Sequence, residues 1–417
     1  MFLAKLSIKR PVMMTMVLSV FLIFGYLSYT NLNLNSFPEV DIPFVTIQTI
    51  YPGAGPKEIE TQITKKLEDA VSTVSEIERI ESFSLDGVSI IMIEFKLSKD
   101  PNVASREVKD KVDVIINKLP EDAMKPLIQK FDFGALPIVD VVLSGDLDSR
   151  ELFEIADKTL KDRFSQIQGV ANVNIVGGQE REIQVNMTNR TVYENAISLP
   201  QMLQILKVQN MDIPGGYFNI NDQEYTVRLE GKFPDLETMK NLEIPTPYGP
   251  KKLSQFADVT DGGKKVRQRA VYYNSKTGIQ DDNVVLLSIV KSSDGNVVDV
   301  AETIKESLPE IENLLPAGCK LEITRDNSLF VKSTVNDTLS NILLGVLFTS
   351  IVLLIFLHDL RATLIVAMSM PTSIISTFML IGMFDMSLNV MSLMGISVSI
   401  GVLVANSVVV LENIFRH

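Results

Sequence analysis

The sequence predicts an α+β membrane protein in which four transmembrane helices carry one large soluble insertion built from duplicated, ferredoxin-like βαβ units. Two observations lead to this prediction. Long apolar runs occur only near the start of the 417-residue chain and near its end, and each approaches the ~20 residues that span a bilayer. The charged segment between them repeats one order of strand and helix patterns, which is typical of an internal duplication.

The first apolar run follows a short basic segment that contains Lys5, Lys9 and Arg10. A signal peptide begins in the same way, but its apolar core is usually shorter and a small-residue cleavage site follows it. Here the run leads instead into Thr-Asn-Leu-Asn-Leu-Asn. We therefore predict a retained first transmembrane helix at residues 11–30, after a cytoplasmic N-terminus at residues 1–10.

Residues 31–135 predict a first βαββαβ unit. A strand of alternating polarity is followed by an amphipathic helix, a hairpin across Asp86-Gly87, a second helix and a last strand. This order is that of a split βαβ or ferredoxin-like sandwich. The predicted strands and helices are 44–51, 55–74, 77–85, 88–97, 102–119 and 127–131.

The same order begins again near residue 137, which predicts a second unit at 136–188 and 275–330. Its first hairpin is expected around Gly177-Gly178. Between its two parts, residues 189–274 are rich in turn signals and short strand patterns, so we interpret them as an inserted lobe. The predicted elements are 137–144, 149–167, 170–176, 181–187, 283–290, 297–315 and 320–324.

Three further apolar runs predict transmembrane helices at 337–357, 362–384 and 389–412, and Pro371 inside the second of them is expected to be tolerated. With four spans, the basic residues near the helix ends all fall on one side of the membrane. The positive-inside rule then places both termini in the cytosol and the insertion outside. These basic residues are Lys5, Lys9, Arg10, Arg361 and Arg416.

The last apolar run contains two rows of small or polar residues. One row recurs at a seven-residue step and forms a stripe along a helix: Ser392, Ser399, Asn406 and Asn413. The other row has the small-xxx-small spacing that allows membrane helices to approach closely: Ser397, Gly401 and Ala405. The polar stripe either satisfies backbone carbonyls and joins helices, or forms a polar pathway within the membrane.

Composition excludes several classes of function. A net charge of −12 without a basic cluster argues against a nucleic-acid partner. Cys319 is the single cysteine and is expected to be a buried thiol, while His358 and His417 are too few and too far apart for a zinc or haem site. No Walker A sequence or nucleophile–base pairing occurs. We therefore expect no catalytic residues, no cofactor and no metal site, and we expect that the chain is not an enzyme.

Four separated blocks carry a resemblance to a known family: Ile8-Lys9-Arg10-Pro11-Val12, residues 37–54, residues 356–365 and residues 401–413. They resemble the N-terminal half of a resistance-nodulation-division (RND) efflux transporter, closest to the hydrophobe/amphiphile exporters, although the heavy-metal branch shares the scaffold. The order and spacing of the blocks extend over essentially the whole chain.

The resemblance implies a multi-pass protein of the cell inner membrane with its insertion in the periplasm. The two βαβ units would be porter subdomains, and the lobe at 189–274 would belong to the docking domain. Implied partners are two further copies in a homotrimer, a periplasmic adaptor (membrane fusion) protein, an outer-membrane channel and membrane lipid. The implied function is export of hydrophobic or amphiphilic compounds, driven by an ion gradient.

The fourth helix departs from the family pattern. Family members that use protons have one or two aspartates at the positions that match Ala405 and Asn406, and neither of these residues can titrate. The amide of Asn406 can still offer a carbonyl oxygen to a cation such as Na⁺. The ion-coupling candidates are therefore Asn406 and Ser399, with Ala405 at the position of the family aspartate. Glu412 lies near the cytoplasmic end of the predicted helix, and its carboxylate is expected to reach the membrane interface or to cap the helix.

The chain is also shorter than the family's full length, so we expect a truncated product that needs its missing C-terminal half. The alternative is a non-transporting RND half that assembles with or regulates a complete pump. A methionine-rich run that includes Met368 and Met370 leaves export of a soft metal open, although methionine is an ordinary residue of membrane helices.

Overall fold

The computed structural model describes residues 2–38, 42–130, 136–220, 223–229, 231–275, 278–293, 295–384 and 386–416. It opens with a short helix, α1 (Phe2–Lys9), followed by α2 (Pro11–Asn31). Pro11 occupies the first turn of α2, where its missing N–H has no intrahelical acceptor. Among the described residues, helix α2 is one of four helices that are long and apolar enough to cross a membrane, which confirms that part of the predicted fold.

The first soluble unit contains one four-stranded antiparallel sheet, in the order β2-β3-β1-β4. Two helical segments cover one face of it, and the first is interrupted by a π-helical turn at Glu60–Thr64. The predicted last strand reached residue 131, which lies outside the described residues. The elements are β1 (Phe44–Ile50), α3 (Pro56–Ile59), α4 (Lys65–Val71), β2 (Ile77–Leu85), β3 (Val88–Phe95), α5 (Pro101–Ile115) and β4 (Leu127–Lys130).

Periodicity explains the core of this unit. Alternate residues of β1 and β3 point toward the helices, and the apolar residues spaced by four along α3 and α4 meet them. Asp100 begins α5 by accepting hydrogen bonds from the backbone N–H groups of Asn102 and Val103, at 2.7 and 3.1 Å. The fully buried side chains include Val45, Ile47, Ile59, Ile63, Leu67, Val71, Ile91 and Ile93.

The second unit repeats this strand order with a long interruption. Its sheet runs β13-β14-β5-β15, and β6 also pairs with β14. A π-helical turn at Ala156–Leu160 again interrupts its first helix. The elements as far as the interruption are β5 (Pro137–Ser144), α6 (Ser149–Ile155), α7 (Lys161–Ser165), β6 (Val170–Gly177) and β7 (Arg181–Asn186).

The interruption has a small core of its own, centred on Met202, Ile244 and Phe256. The chain then returns to the second sheet. The elements of the interruption are α8 (Asn189–Glu194), α9 (Leu199–Gln209), β8 (Ile213–Ile220), β9 (Gln223–Leu229), α10 (Leu236–Lys240), β10 (Glu243–Thr246), β11 (Gly249–Lys252) and β12 (Asp258–Gly263). Those that follow it are β13 (Ala270–Asn274), β14 (Ile279–Lys291), α11 (Val297–Glu312) and β15 (Lys320–Asp326).

The predicted hairpin around Gly177-Gly178 is wrong. Strand β6 pairs with β14 and strand β7 pairs with β12, so the chain leaves the sheet between them. Gly177 and Gly178 make this exit with φ angles of +87° and +66°, which favour glycine. At Gly177 a Cβ atom would also lie 2.8 Å from the carbonyl oxygen of Val284.

The last three helices are α12 (Asn327–Leu357), α13 (Leu360–Met383) and α14 (Val390–Arg416). Helix α12 starts directly after β15, without a loop. Helix α2 packs closely on α13 at Gly25, where a Cβ atom would lie 2.0 Å from the carbonyl oxygen of Ile375. One turn further along, the rings of Tyr29 and Phe378 lie 5.1 Å apart. Pro371 is accommodated within α13.

Candidate functional site

Helix α14 begins at a reciprocal cap formed by two residues. Asn389 Oδ1 accepts a hydrogen bond from the Ser392 backbone N–H at 3.0 Å, and Ser392 Oγ accepts one from the Asn389 backbone N–H at 2.8 Å. Asn389 is buried, and its amide also donates to Ser387. Ser392, which the sequence placed in the polar stripe, therefore serves the start of the helix.

The face of α14 that packs on the other described helices is apolar. Leu393 and Ile396 are buried, and Leu403, Val404 and Val408 are half-buried against α12 and α13. Successive residues along this face are three or four positions apart, as one side of a helix requires. This geometry fixes the direction in which every other residue of α14 points.

Residues of both rows that the sequence singled out are exposed at their own levels of the helix. Ser399 and Asn406 are exposed, and so are Ser397, Gly401 and Ala405. The expectation that the row of small residues packs against a neighbouring helix is therefore wrong for the helices described here, since no atom lies within 4 Å of a Cβ built on Gly401. Ser399 and Asn406, seven residues apart, share one open surface of α14, and Ala405 is exposed beside it.

Asn406 is the one of the three ion-coupling candidates whose hydrogen-bonding groups stay available among the described residues. Ser399 Oγ donates to the Gly395 carbonyl oxygen at 2.8 Å. Ala405 has no polar group. The Asn406 amide makes no hydrogen bond among the described residues, so of these candidates it is the group that can hold water or a cation.

A second candidate site, which the sequence reading missed, lies on the face of the second sheet that its helices do not cover. A cleft of about 630 Å³ opens there, within the usual size range of ligand sites. Its lining combines apolar side chains, two tyrosines and charged groups. The lining residues include Asp140, Val142, Val176, Arg269, Tyr272, Tyr273, Leu286 and Glu322.

Three charged residues line the cleft, and two of them pair with residues outside the lining. Asp140 Oδ2 lies 2.9 Å from Arg325 Nε. Arg269 lies 3.1 Å from Asp282. Glu322 instead accepts a hydrogen bond from the hydroxyl of Tyr272. That hydrogen bond, with burial of the phenol, raises the pKa of Tyr272 above its ordinary value.

Comparison with known proteins identifies the family to which the chain belongs. The sequence profile of the AcrB/AcrD/AcrF family matches residues 3–417. The chain belongs to this family of RND efflux transporters, which confirms the resemblance seen in its sequence. A solved crystal structure of a heavy metal efflux pump has a similar fold, with a TM-score of 0.81 and 25% identity, over 99% of this chain and 41% of that one.

Two RND relatives indicate how much of such a transporter this chain represents. Multidrug resistance protein MdtC of Serratia proteamaculans is 28% identical over 415 residues, covering 99% of this chain and 40% of the relative. Swarming motility protein SwrC of Bacillus subtilis is 27% identical over 431 residues, covering 94% and 40%. The chain thus spans about 40% of the length of the curated relatives it matches.

The methionine run does not form a cluster. Met370 is 1% exposed, whereas Met368 is 63% exposed, so the two lie on different sides of α13. Among the described residues, no three His, Cys, Asp or Glu side chains come together as metal ligands. Cys319 is buried, and burial raises the pKa of its thiol.

Proposed function

We propose that this chain is the N-terminal half of an inner-membrane RND exporter of hydrophobic or amphiphilic compounds, driven by an ion gradient. One observation carries the proposal. This member of an efflux family combines a ligand-sized cleft in its soluble insertion with an unpacked polar surface on a membrane helix. Such a transporter needs one site for its substrate and another for the coupling ion.

The soluble insertion supplies the porter and docking parts. Residues 31–135 form one porter subdomain, residues 136–188 and 275–330 form the other, and residues 189–274 form the docking lobe. Two features support a duplication: both sheets connect their strands in one order, and a π-helical turn interrupts the first helix of each unit. The insertion lies in the periplasm, and transmembrane segments 11–30, 337–357, 362–384 and 389–412 hold it there.

The open surface of α14 is the place where the coupling ion acts. Asn406 offers its carbonyl oxygen to a hard cation, and Na⁺ prefers oxygen ligands. Ser399 lies two turns away on the same side and can add its oxygen lone pairs, since its proton is already donated to Gly395. The part of the family's length that this chain does not span would cover this surface and complete the ion site.

The proposed partners of the exporter follow from the role of its family. The exporter forms a homotrimer in the lipid bilayer, and its docking lobe meets an outer-membrane channel while a periplasmic adaptor protein surrounds the joint. The exposed apolar side chains of α2, such as Met16, Val20 and Phe24, support contact with lipid. None of these partners requires a cofactor.

A second role is favoured by one specific observation. Neither Ala405 nor Asn406 can bind and release a proton near neutral pH. A chain without a relay could serve as a non-transporting half that assembles with or regulates a complete RND pump. In that case the open surface of α14 would be a contact with the partner pump alone.

Proteoliposomes separate the two roles. The chain is reconstituted with and without a C-terminal RND segment, and uptake of a fluorescent amphiphile is measured while a proton gradient or a sodium gradient is imposed separately. Gradient-dependent uptake by the assembled pair is expected, with sodium as the more effective ion. Assembly without uptake under either gradient would refute the transporter and leave the regulatory half.

A further inference from the structure

We infer that a charged clasp fixes the angle between the inserted lobe (residues 189–274) and the second unit, and that opening the clasp allows the lobe to swing. The clasp is formed by Arg150 on α6, Arg181 on β7 and Asp261 on β12. Strands β7 and β12 pair with each other in a two-stranded ribbon, the neck, which joins the lobe to the unit. This inference concerns how the lobe is held, so it does not depend on the proposed export.

The neck is a place at which the chain can bend. The chain leaves the second sheet at Gly177-Gly178 and returns past Gly262-Gly263, so a glycine pair lies on each side of the base of the neck. Glycine restricts backbone rotation less than any other residue. A two-stranded ribbon is also only marginally stable without further contacts. The neck therefore needs contacts outside its own two strands if the lobe is to keep one orientation.

Helix α6 of the second unit supplies contacts to both sides of the neck. Arg150 Nη1 donates to the backbone carbonyl oxygen of Asp261 on β12, at 2.9 Å. The backbone N–H of Gln179, just before β7, donates to the carbonyl oxygen of Ser149 at 3.2 Å. Asp148 orients the arginine, because its Oδ2 accepts a hydrogen bond from Arg150 Nε at 2.8 Å. One helix end thus holds the base of the neck from the side.

Asp261 joins the two arginines of the clasp. Arg181 forms a bidentate pair with its carboxylate: Nη2 lies 2.8 Å from Oδ2, and Nε lies 3.0 Å from Oδ1. Arg150 Nη1 approaches the same carboxylate at 3.7 Å. Single exposed ion pairs contribute little to stability, but networks with bidentate geometry are the exception.

Salt is the solution variable that should open the clasp. Hydrogen bonds from Arg181 hold the pKa of Asp261 below its ordinary value, so the carboxylate stays charged near neutral pH. The three side chains are between 37% and 61% exposed, so dissolved ions can reach them. Raising the salt from about 0.1 M to about 1 M shortens the Debye length from about 10 Å to about 3 Å. High salt should therefore release the lobe.

The test measures the distance between the lobe and the second unit in the full chain in nanodiscs. Cys319→Ala removes the single cysteine of the sequence. Tyr193→Cys on α8 and Glu310→Cys on α11 then provide two exposed positions for spin labels. Double electron–electron resonance should give one narrow distance distribution at low salt and a broader one at high salt.

Two substitutions open the clasp in different ways. Arg150→Gln removes the contact from α6 and leaves the pair of Arg181 with Asp261 inside the neck. Asp261→Asn removes the charge that both arginines share. Each variant should broaden the distribution already at low salt and should respond less to added salt than the wild type. Arg150→Lys keeps the positive charge and should restore part of the narrow distribution.

Arg79→Gln is the matched control. Arg79 is as exposed as Arg181 and also pairs with carboxylates, those of Glu81 and Glu94, but it lies in the first unit. Its loss should leave the distance between lobe and second unit unchanged. Circular dichroism checks that every variant folds.

Three results would overturn the inference. A distribution that stays narrow in Arg150→Gln and Asp261→Asn would mean that the ribbon alone holds the lobe. A distribution that is equally broad in the wild type would mean that the clasp fixes nothing. Broadening in Arg79→Gln as well would indicate a general loss of structure. The proposed exporter is tested separately in the uptake assay, because none of these measurements involves transport.

Discussion

The ammonium of Lys305 on α11 forms an ion pair with the carboxylate of Asp326, the residue at which β15 passes into α12. Asp326 also caps α12 by accepting a hydrogen bond from the Ser328 backbone N–H at 2.8 Å. One side chain thus joins a helix of the second sheet to the start of a 31-residue helix of the membrane group.

Asp326→Asn should destabilise this junction. The asparagine can still cap α12, so the change removes mainly the charge. Asp326 is 5% exposed on its side chain and Lys305 is 35% exposed, and we expect a loss of about 1 kcal/mol at neutral pH. Thermal unfolding of the purified chain in detergent measures it. Glu302→Gln is the control, because its exposed pair with Lys332 should contribute much less to stability.

The loss in Asp326→Asn should depend on pH. Burial acts to raise the pKa of Asp326, but Lys305 and Ser328 lower it more, so the folded pKa lies below the ordinary value. The stabilisation is therefore present above the unfolded pKa of about 3.9 and is lost as the pH falls through the folded pKa. The difference between wild type and variant should shrink below about pH 4; a constant difference from pH 7 to pH 3 would contradict this assignment.

Gly25→Ala should loosen the contact of α2 with α13. The new Cβ atom would lie 2.0 Å from the Ile375 carbonyl oxygen, and backbone cannot move aside as a flexible side chain can. Overpacking of this kind costs about 1–3 kcal/mol. Gly345→Ala on α12 is the control, since no atom lies within 4 Å of its Cβ position. Size-exclusion profiles after heating should show early loss of Gly25→Ala alone; equal heat resistance of both variants would exclude close packing at Gly25.

Tyr272 should titrate above the ordinary tyrosine range because its hydroxyl donates to the Glu322 carboxylate. A raised folded pKa means that its contribution to stability is present below the unfolded pKa of about 10 and is lost as the pH rises through the folded value. Ultraviolet difference titration, with Tyr272→Phe to identify the signal, measures this pKa. Glu322→Gln should lower it, and an unchanged titration would argue against the hydrogen bond.

The sequence predicted elements well wherever the deciding contacts are local. The residues Ile59, Ile63, Leu67 and Val71 were expected on one helix face, and all four are fully buried. Apolar length alone identified the four membrane helices. The predicted hairpin at Gly177-Gly178 is wrong because a glycine pair indicates a turn but not which strands pair. The partner of β6 is β14, which lies about a hundred residues further along the chain and could not be identified from the turn.

The candidate sites show the same limit. On α14 apolar residues occur all round, so the pattern could not identify which positions pack, and the row of small residues is exposed among the described helices. The role of Ser392 in the cap depends on where the helix starts. The cleft was missed because its lining comes from β5, β6, β13, β14 and β15. One local signal did exist: Asp140 is a charge inside the otherwise apolar strand Pro137–Ser144.

Asn406 provides the sharpest test of ion coupling. In the assembled transporter, Asn406→Ala should abolish the sodium dependence of uptake, because it removes the amide that no described residue engages. Ser399→Ala should have a smaller effect, since its hydroxyl proton is already donated to Gly395.

Asn406→Asp should replace sodium dependence with pH dependence, because a carboxylate can carry a proton and an amide cannot. Asn413→Ala, on the same exposed stripe near the helix end, is the control and should keep sodium dependence. Uptake at varied external sodium and pH measures all four variants, and unchanged sodium dependence in Asn406→Ala would remove this residue from the mechanism.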